Sequence, residues 1–209
     1  MSFFRRAKRA ADEIPQLDEE VTMQENNEGT DLAAPKIGPE SVAPGTELPG
    51  YIDMGAIQIK PVEGIQVNLP QENPPYEYIT FLIAGSALQI AIRSCPRSDD
   101  GWAERKKQVK EAYIEEGFKV DSTESRYGED LVVEIPVNTP DGRKGVGQIR
   151  FAGVSGDRWV AQLAFHGAAV DPDSDAAKII DGFVDSLKVV RGQDPMPPYV
   201  PLTISLPEA

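Results

Sequence analysis

The chain carries one cysteine and one histidine in 209 residues, and that scarcity removes most metal and nucleophile chemistry. A zinc site needs three or four Cys, His or carboxylate ligands at set spacings, which Cys95 and His166 do not provide. A Cys–His nucleophile pair would have to be these two residues. Basic residues are also few. The formal net charge is −13, which argues against DNA or RNA as a partner, because affinity there rests on neutralising phosphates. No run of about 18 apolar residues exists, so no helical transmembrane segment is expected. Arg5, Arg6, Lys8 and Arg9 are followed by no apolar stretch, unlike a secretory signal. A lone cysteine cannot form an internal disulfide, which suits a reducing, cytoplasmic setting. Nothing in the pattern calls for a cofactor or a metal.

What is present is strongly segregated. Residues 1–11 hold four basic side chains and no acid, whereas residues 12–50 hold ten Asp or Glu against Lys36 alone. The acidic stretch is broken by Pro15, Pro35, Pro39, Pro44 and Pro49. High charge with little clustered apolar surface cannot offset chain entropy, so residues 1–50 read as a disordered leader, basic over 1–11 and acidic over 12–50.

From Tyr51 onward the pattern is that of a folded domain, residues 51–191. Ile57 and Ile59, then Ile65, Val67 and Leu69, alternate with polar residues around Pro61 and Gly64, which predicts two strands in a hairpin. Tyr76–Ile83 and Ala87–Arg93 predict two more. The period then changes. Ser98 or Asp99 can cap a helix with Trp102, Val109, Ala112 and Tyr113 on one face, ending at Gly117. Phe118–Ser122, Leu131–Val137, Val146–Val154 and Arg158–His166 predict four further strands. Thr139-Pro140-Asp141-Gly142 supplies a turn, Pro setting one φ and Gly accepting a left-handed one. A second helix is predicted over Asp173–Leu187, with Ala176, Ile179, Ile180, Phe183 and Leu187 inward, followed by a short strand at Lys188–Val190. Residues 192–209 form a Pro-rich extended tail in which Leu202, Ile204 and Leu206 alternate, suited to lying on an edge or groove. The fold class is α+β: one domain of about eight strands, mostly antiparallel, packed with two helices.

Several blocks carry a family likeness: Asp53-Met54-Gly55-Ala56, Ser86-Ala87-Leu88-Gln89, Pro96-Arg97-Ser98 with Trp102, Thr139-Pro140-Asp141-Gly142-Arg143, Arg150-Phe151-Ala152-Gly153-Val154, Arg158-Trp159, and Arg191-Gly192 through Leu206-Pro207. In that order, over about residues 51–207, the chain resembles an actinobacterial domain family of unknown function. The resemblance implies a cytosolic protein shaped like a PsbP-type sandwich, by analogy. It implies no catalytic residue.

Four constellations invite a chemical reading. Gly142-Arg143-Lys144-Gly145-Val146-Gly147 could hold a phosphate or carboxylate through Arg143, Lys144 and backbone N–H groups, with Arg150 as a third cation. It lacks the Walker order, Arg150 stands where GxGxxG needs its last glycine, and such composition is ordinary at a solvated hairpin tip. Asp171-Pro172-Asp173-Ser174-Asp175 opens like a calcium loop, but Ala176 and Gly182 occupy the positions that need Gly and Glu. Acids at a helix start are the plainer reading. His166 lies near Asp171, with Ser155 and Ser86 as conceivable nucleophiles, but neither serine sits in a G-x-S-x-G elbow. Cys95 has no activating neighbour in sequence and reads as a buried thiol. Trp102, Trp159, Phe151 and Phe165 read as core before pocket.

At the N-terminus, Phe3, Ala7, Ala10, Ala11 and Ile14 recur at helical spacing opposite Arg5, Arg6, Lys8 and Arg9. A weak peripheral membrane contact through Phe3, Phe4, Arg5 and Arg6 is one use of that stretch; attraction to the acidic leader is the other. The reading that results is a non-catalytic cytoplasmic binding or interaction protein that recognises a protein partner or a small ligand. The alternative is an enzyme or sensor for a small phosphorylated or carboxylated molecule, using Arg143, Lys144 and Arg150.

Overall fold

The computed structural model describes residues 37–70, 75–97, 100–138 and 144–206. Its strands form two sheets. In chain order they are β1 (Glu40–Val42), β2 (Ile52–Asp53), β3 (Ile57–Ile59), β4 (Gln66–Asn68), β5 (Ile79–Ile83) and β6 (Ser86–Ser94). Helix α1 (Gly101–Glu115) follows, then β7 (Lys119–Ser125), β8 (Gly128–Asn138), β9 (Lys144–Gly156) and β10 (Trp159–His166). A 3₁₀ turn (Gly167–Val170), helix α2 (Asp175–Ser186) and β11 (Lys188–Val190) complete the order. The class is α+β, with two helices.

The large sheet runs β4-β5-β6-β10-β9-β8-β7, every pair antiparallel. Its two faces are sorted by the period-two alternation of its strands. On β10, Trp159, Ala161, Leu163 and Phe165 enter one cluster, while Val160 and Ala164 enter another. The first cluster joins the large sheet to α2 and to the small sheet, ordered β1-β11-β3-β2. There Phe81 meets Phe183 edge-on at 4.8 Å between ring centres. The second lies under α1, where Trp102 and Val109 cover Leu131, Val133, Phe151 and Val160. Gly153 makes that approach possible, since a Cβ there would stand 2.1 Å from the Trp102 ring. Trp102, Trp159, Phe151 and Phe165, assigned to the core from sequence, are all buried.

Several expectations are corrected. β3 and β4 are not a hairpin: β3 pairs with β2 and β11 in the small sheet, and β4 pairs with β5 in the large one. Alternation reports a buried face but not which strand lies alongside. Helix α1 is capped by Asp100, whose carboxylate accepts from the Trp102 amide at 3.2 Å; Ser98 and Asp99 lie outside the described residues. Ala112 is exposed, and Tyr113 and Val109 carry the seam. On α2, Ile179 points outward at 54% exposure and Ala177 takes the inward place.

Residues 37–50, assigned from composition to the leader, include strand β1, which pairs in parallel with β11. The pairing is reinforced by Lys188 Nζ donating to Glu40 at 2.7 Å and Trp159 Nε1 donating to Ser41 Oγ at 2.8 Å. Residues 1–36, including the basic stretch, lie outside the described residues. At the other end the tail docks. Ile204 exchanges both backbone hydrogen bonds with Tyr76 at 2.9 Å, and the Leu202 amide donates to Ile92 at 2.8 Å. Leu202 and Ile204 are buried, whereas Leu206, expected beside them, is 57% exposed. The same segment reaches the small sheet's entry, the Ser205 amide donating to Met54 at 3.0 Å. Gly55, at φ +81°, permits this, because a Cβ there would stand 3.0 Å from the Thr203 carbonyl.

Candidate functional site

Of the three candidate cations, Arg143 lies outside the described residues, and the structure does not bring the other two together. Lys144 is exposed at the start of β9. Arg150 is six residues further along the same strand, roughly 20 Å at 3.3 Å per residue. It is 1% exposed, and its Nη1 meets Asp130, 0% exposed, at 2.7 Å. Nε and Nη2 donate to the carbonyls of Val170 and Ala169, each at 3.0 Å. The guanidinium also lies 3.8 Å over the Phe165 ring. Arg150 therefore holds the 3₁₀ turn to the sheet. Burial pushes the Asp130 carboxyl above the ordinary carboxylate range, against the opposing pull of Ser125 and Arg150.

A second polar layer ties the β7–β8 turn to α2. Tyr127 donates to Asp181 at 2.8 Å, and Arg126 grips Asp185 through Nη2 at 2.8 and 3.1 Å. Asp185 also accepts from the Gly38 amide at 2.8 Å. Burial raises the Asp181 carboxyl, opposed by the Tyr127 hydroxyl and Arg126, and raises the Tyr127 phenol. These groups are satisfied by one another and form a clasp.

The other candidates are also structural or apart. Ser155 Oγ accepts from the Trp102 amide at 3.1 Å and donates to Asp100 at 3.0 Å, supporting the start of α1. It lies opposite Val160, six residues from His166 along β10. Ser86 precedes Ala87, the β6 partner of His166, so its side chain enters the opposite face. There its hydroxyl accepts from the Ala169 amide at 3.3 Å. Asp171 accepts from the Asp173 amide at 3.0 Å, and Ser174 caps α2 by accepting from Ala177 at 3.1 Å. Cys95 is buried.

The open feature that remains is a projecting arm. β10 ends at His166, opposite Ile149, and β7 begins at Lys119, opposite Glu134. β8 and β9 continue to pair beyond both, from Ile135↔Gly147 to Asn138↔Lys144. Residues 144–148 of β9 thus have β8 on one side and, among the described residues, no strand on the other. Beside that free edge lies a cleft of about 580 Å³ between the arm and the 3₁₀ corner. Ile135, Val137, Val146 and Val170 make its apolar surface; Gln148 and His166 are its polar side chains. Val146 is 70% exposed. Burial holds the His166 imidazole below its ordinary range, so at neutral pH it is an uncharged donor and acceptor. Among the described residues no carboxylate, serine or cysteine lines this cleft.

Among the described residues no helix is long and apolar enough to cross a membrane. A family model described as "Protein of unknown function (DUF3710)" matches residues 38–209. No curated protein matches the chain. Among solved structures, the chain is similar to the solution structure of cyanobacterial PsbP (CyanoP) from Synechocystis sp. PCC 6803, at 13% identity and a TM-score of 0.33. That alignment covers 69% of this chain and 95% of that one.

Proposed function

The chain belongs to the DUF3710 family, and we propose that it is a non-catalytic cytoplasmic binding module whose β8–β9 arm receives an extended segment of a protein partner. The observation that carries this is the unpaired β9 edge over residues 144–148, running alongside an apolar cleft. A free strand edge is a template for a further strand, and pockets beside it select side chains. An incoming strand would take the line that β10 vacates after His166. Its apolar residues would meet Val146, Val137 and Ile135, while Gln148 and His166 would hydrogen-bond its polar ones. Lys144, exposed at the start of β9, favours an acidic flank on the partner. Of the residues of the small-anion enzyme reading, Arg150 is committed to Asp130 and Arg143 lies outside the described residues.

The test is affinity capture from native cytosol with the full chain and with Val146→Asp, which puts a charge on the exposed apolar wall without entering the core. Capture of a discrete protein by the wild type, lost in the variant, supports the reading. Equal capture by both overturns it.

A further inference from the structure

The opposite end of β9 and β10 carries a different arrangement, and from it we infer a binding site for the phosphoryl group of a small molecule. The β9–β10 turn and the segment after β11 enclose a cleft of about 270 Å³, lined by Asp157, Arg158, Arg191, Gln193 and the Ser41–Pro44 strand end. Arg158 Nη2 and Arg191 Nη1 both donate to a single acceptor, the Gly192 carbonyl, at 3.5 and 3.4 Å. Two guanidinium groups thus converge on one neutral oxygen. Like charges at that separation repel, and a shared anion converts the repulsion to attraction.

Among the described residues the carboxylate that lines the cleft is Asp157, and it meets this charge only at long range. Asp157 Oδ2 is 3.9 Å from Arg158 Nε, beyond hydrogen-bond reach, and Asp157 also faces Arg97 at 3.6 Å. Arg158 Nε is buried with no hydrogen-bond partner. Among the described residues Arg191 is oriented by carbonyls, Nε on Arg158 at 3.3 Å and Nη1 on Asp194 at 2.9 Å. Carbonyls fix its direction without cancelling its charge. The backbone adds a second, independent sign. Arg158 sits at φ +62°, where glycine would close the turn with less strain and bring no cation. Paired guanidiniums present parallel donors to two oxygens of one group. Their combined charge matches a phosphoryl dianion better than a carboxylate. The cleft's volume admits the group with a small molecule attached.

The experiment follows backbone amide resonances of Gly192 and Arg158 in the full chain, titrated with inorganic phosphate, with acetate at matched ionic strength, with a sugar phosphate and with a phosphoserine peptide. Saturable shifts with phosphate, at least tenfold weaker with acetate and lost in Arg191→Gln, are expected. Because Arg191 also holds backbone carbonyls, Arg158→Gly is the second variant. It relaxes the turn, so it should melt close to the wild type while losing the phosphate response. The sugar phosphate should bind at least as tightly as the peptide. Absence of saturable shifts, an equal response to acetate, a response that survives Arg158→Gly, or tighter binding of the peptide would each overturn the assignment.

Discussion

Replacing Arg150 by methionine should be among the most destabilising single changes in the domain, although from sequence Arg150 reads as a candidate ligand for a small anion. The substitution leaves Asp130 at 0% exposure without the guanidinium now 2.7 Å away. Removing one partner of a buried pair costs about 3–5 kcal/mol, because the remaining charge is uncompensated. The Val170 and Ala169 carbonyls lose their donors, and the stacking over Phe165 at 3.8 Å is lost; these overlap with the ion-pair loss rather than adding to it. Against a stability of about 5–15 kcal/mol for a domain, that leaves the variant marginal. Urea unfolding followed by tryptophan fluorescence reads the change as a lower midpoint at unchanged slope. The companion double variant, Asp130→Leu with Arg150→Met, removes both charges and should recover most of the loss, as apolar replacements of buried pairs do. A single-variant cost under about 1 kcal/mol, or a double variant as unstable as the single, would refute the reasoning.

Other expectations follow from the same geometry. His166 should titrate by NMR below about 6.5, because burial disfavours its charged form. The folded state then binds fewer protons than the unfolded one just below that pH, so stability should rise with pH through that window and be full above it. His166→Gln should abolish this component, and a midpoint at or above 6.5 would contradict it. Ile204→Ala removes a fully buried anchor of the docked tail and should cost about 2–5 kcal/mol, with increased binding of a hydrophobic dye; an unchanged melting temperature would mean the tail contributes nothing. Gly153→Ala places a methyl group 2.1 Å from the Trp102 ring and should cost about 1–3 kcal/mol or more, with a shift in tryptophan emission. A silent substitution would remove the proposed reason for glycine there.

Of the strands that were legible, β6 alternates cleanly because it packs one face on the core, whereas β10 is apolar on both faces because each enters a cluster. Helix α2 was legible from its apolar stripe, though rotated enough to expose Ile179. β1 was hidden because three residues, Glu-Ser-Val, carry too little apolar pattern; pairing with β11 makes the strand. The role of Arg150 was half readable. Ile149 and Phe151 belong to the α1 face, so alternation puts Arg150 on the opposite one with Ala152. Its partner, twenty residues back, is a tertiary fact that no local pattern encodes. The projecting arm was missed for a related reason. β8 and β9 run past both ends of the predicted Leu131–Val137 and Val146–Val154, and an unpaired edge depends on where the neighbouring strands stop.

The central claim is that the free β9 edge receives a protein partner, and a photo-reactive side chain placed there tests it most directly. The full chain would carry the reactive group at Gln148, or at exposed Ile114 on α1 as a control, and be irradiated in native cytosol. The account predicts a discrete protein adduct from position 148 that is absent from position 114. Adducts of the same pattern from both positions, or none from position 148, would contradict it.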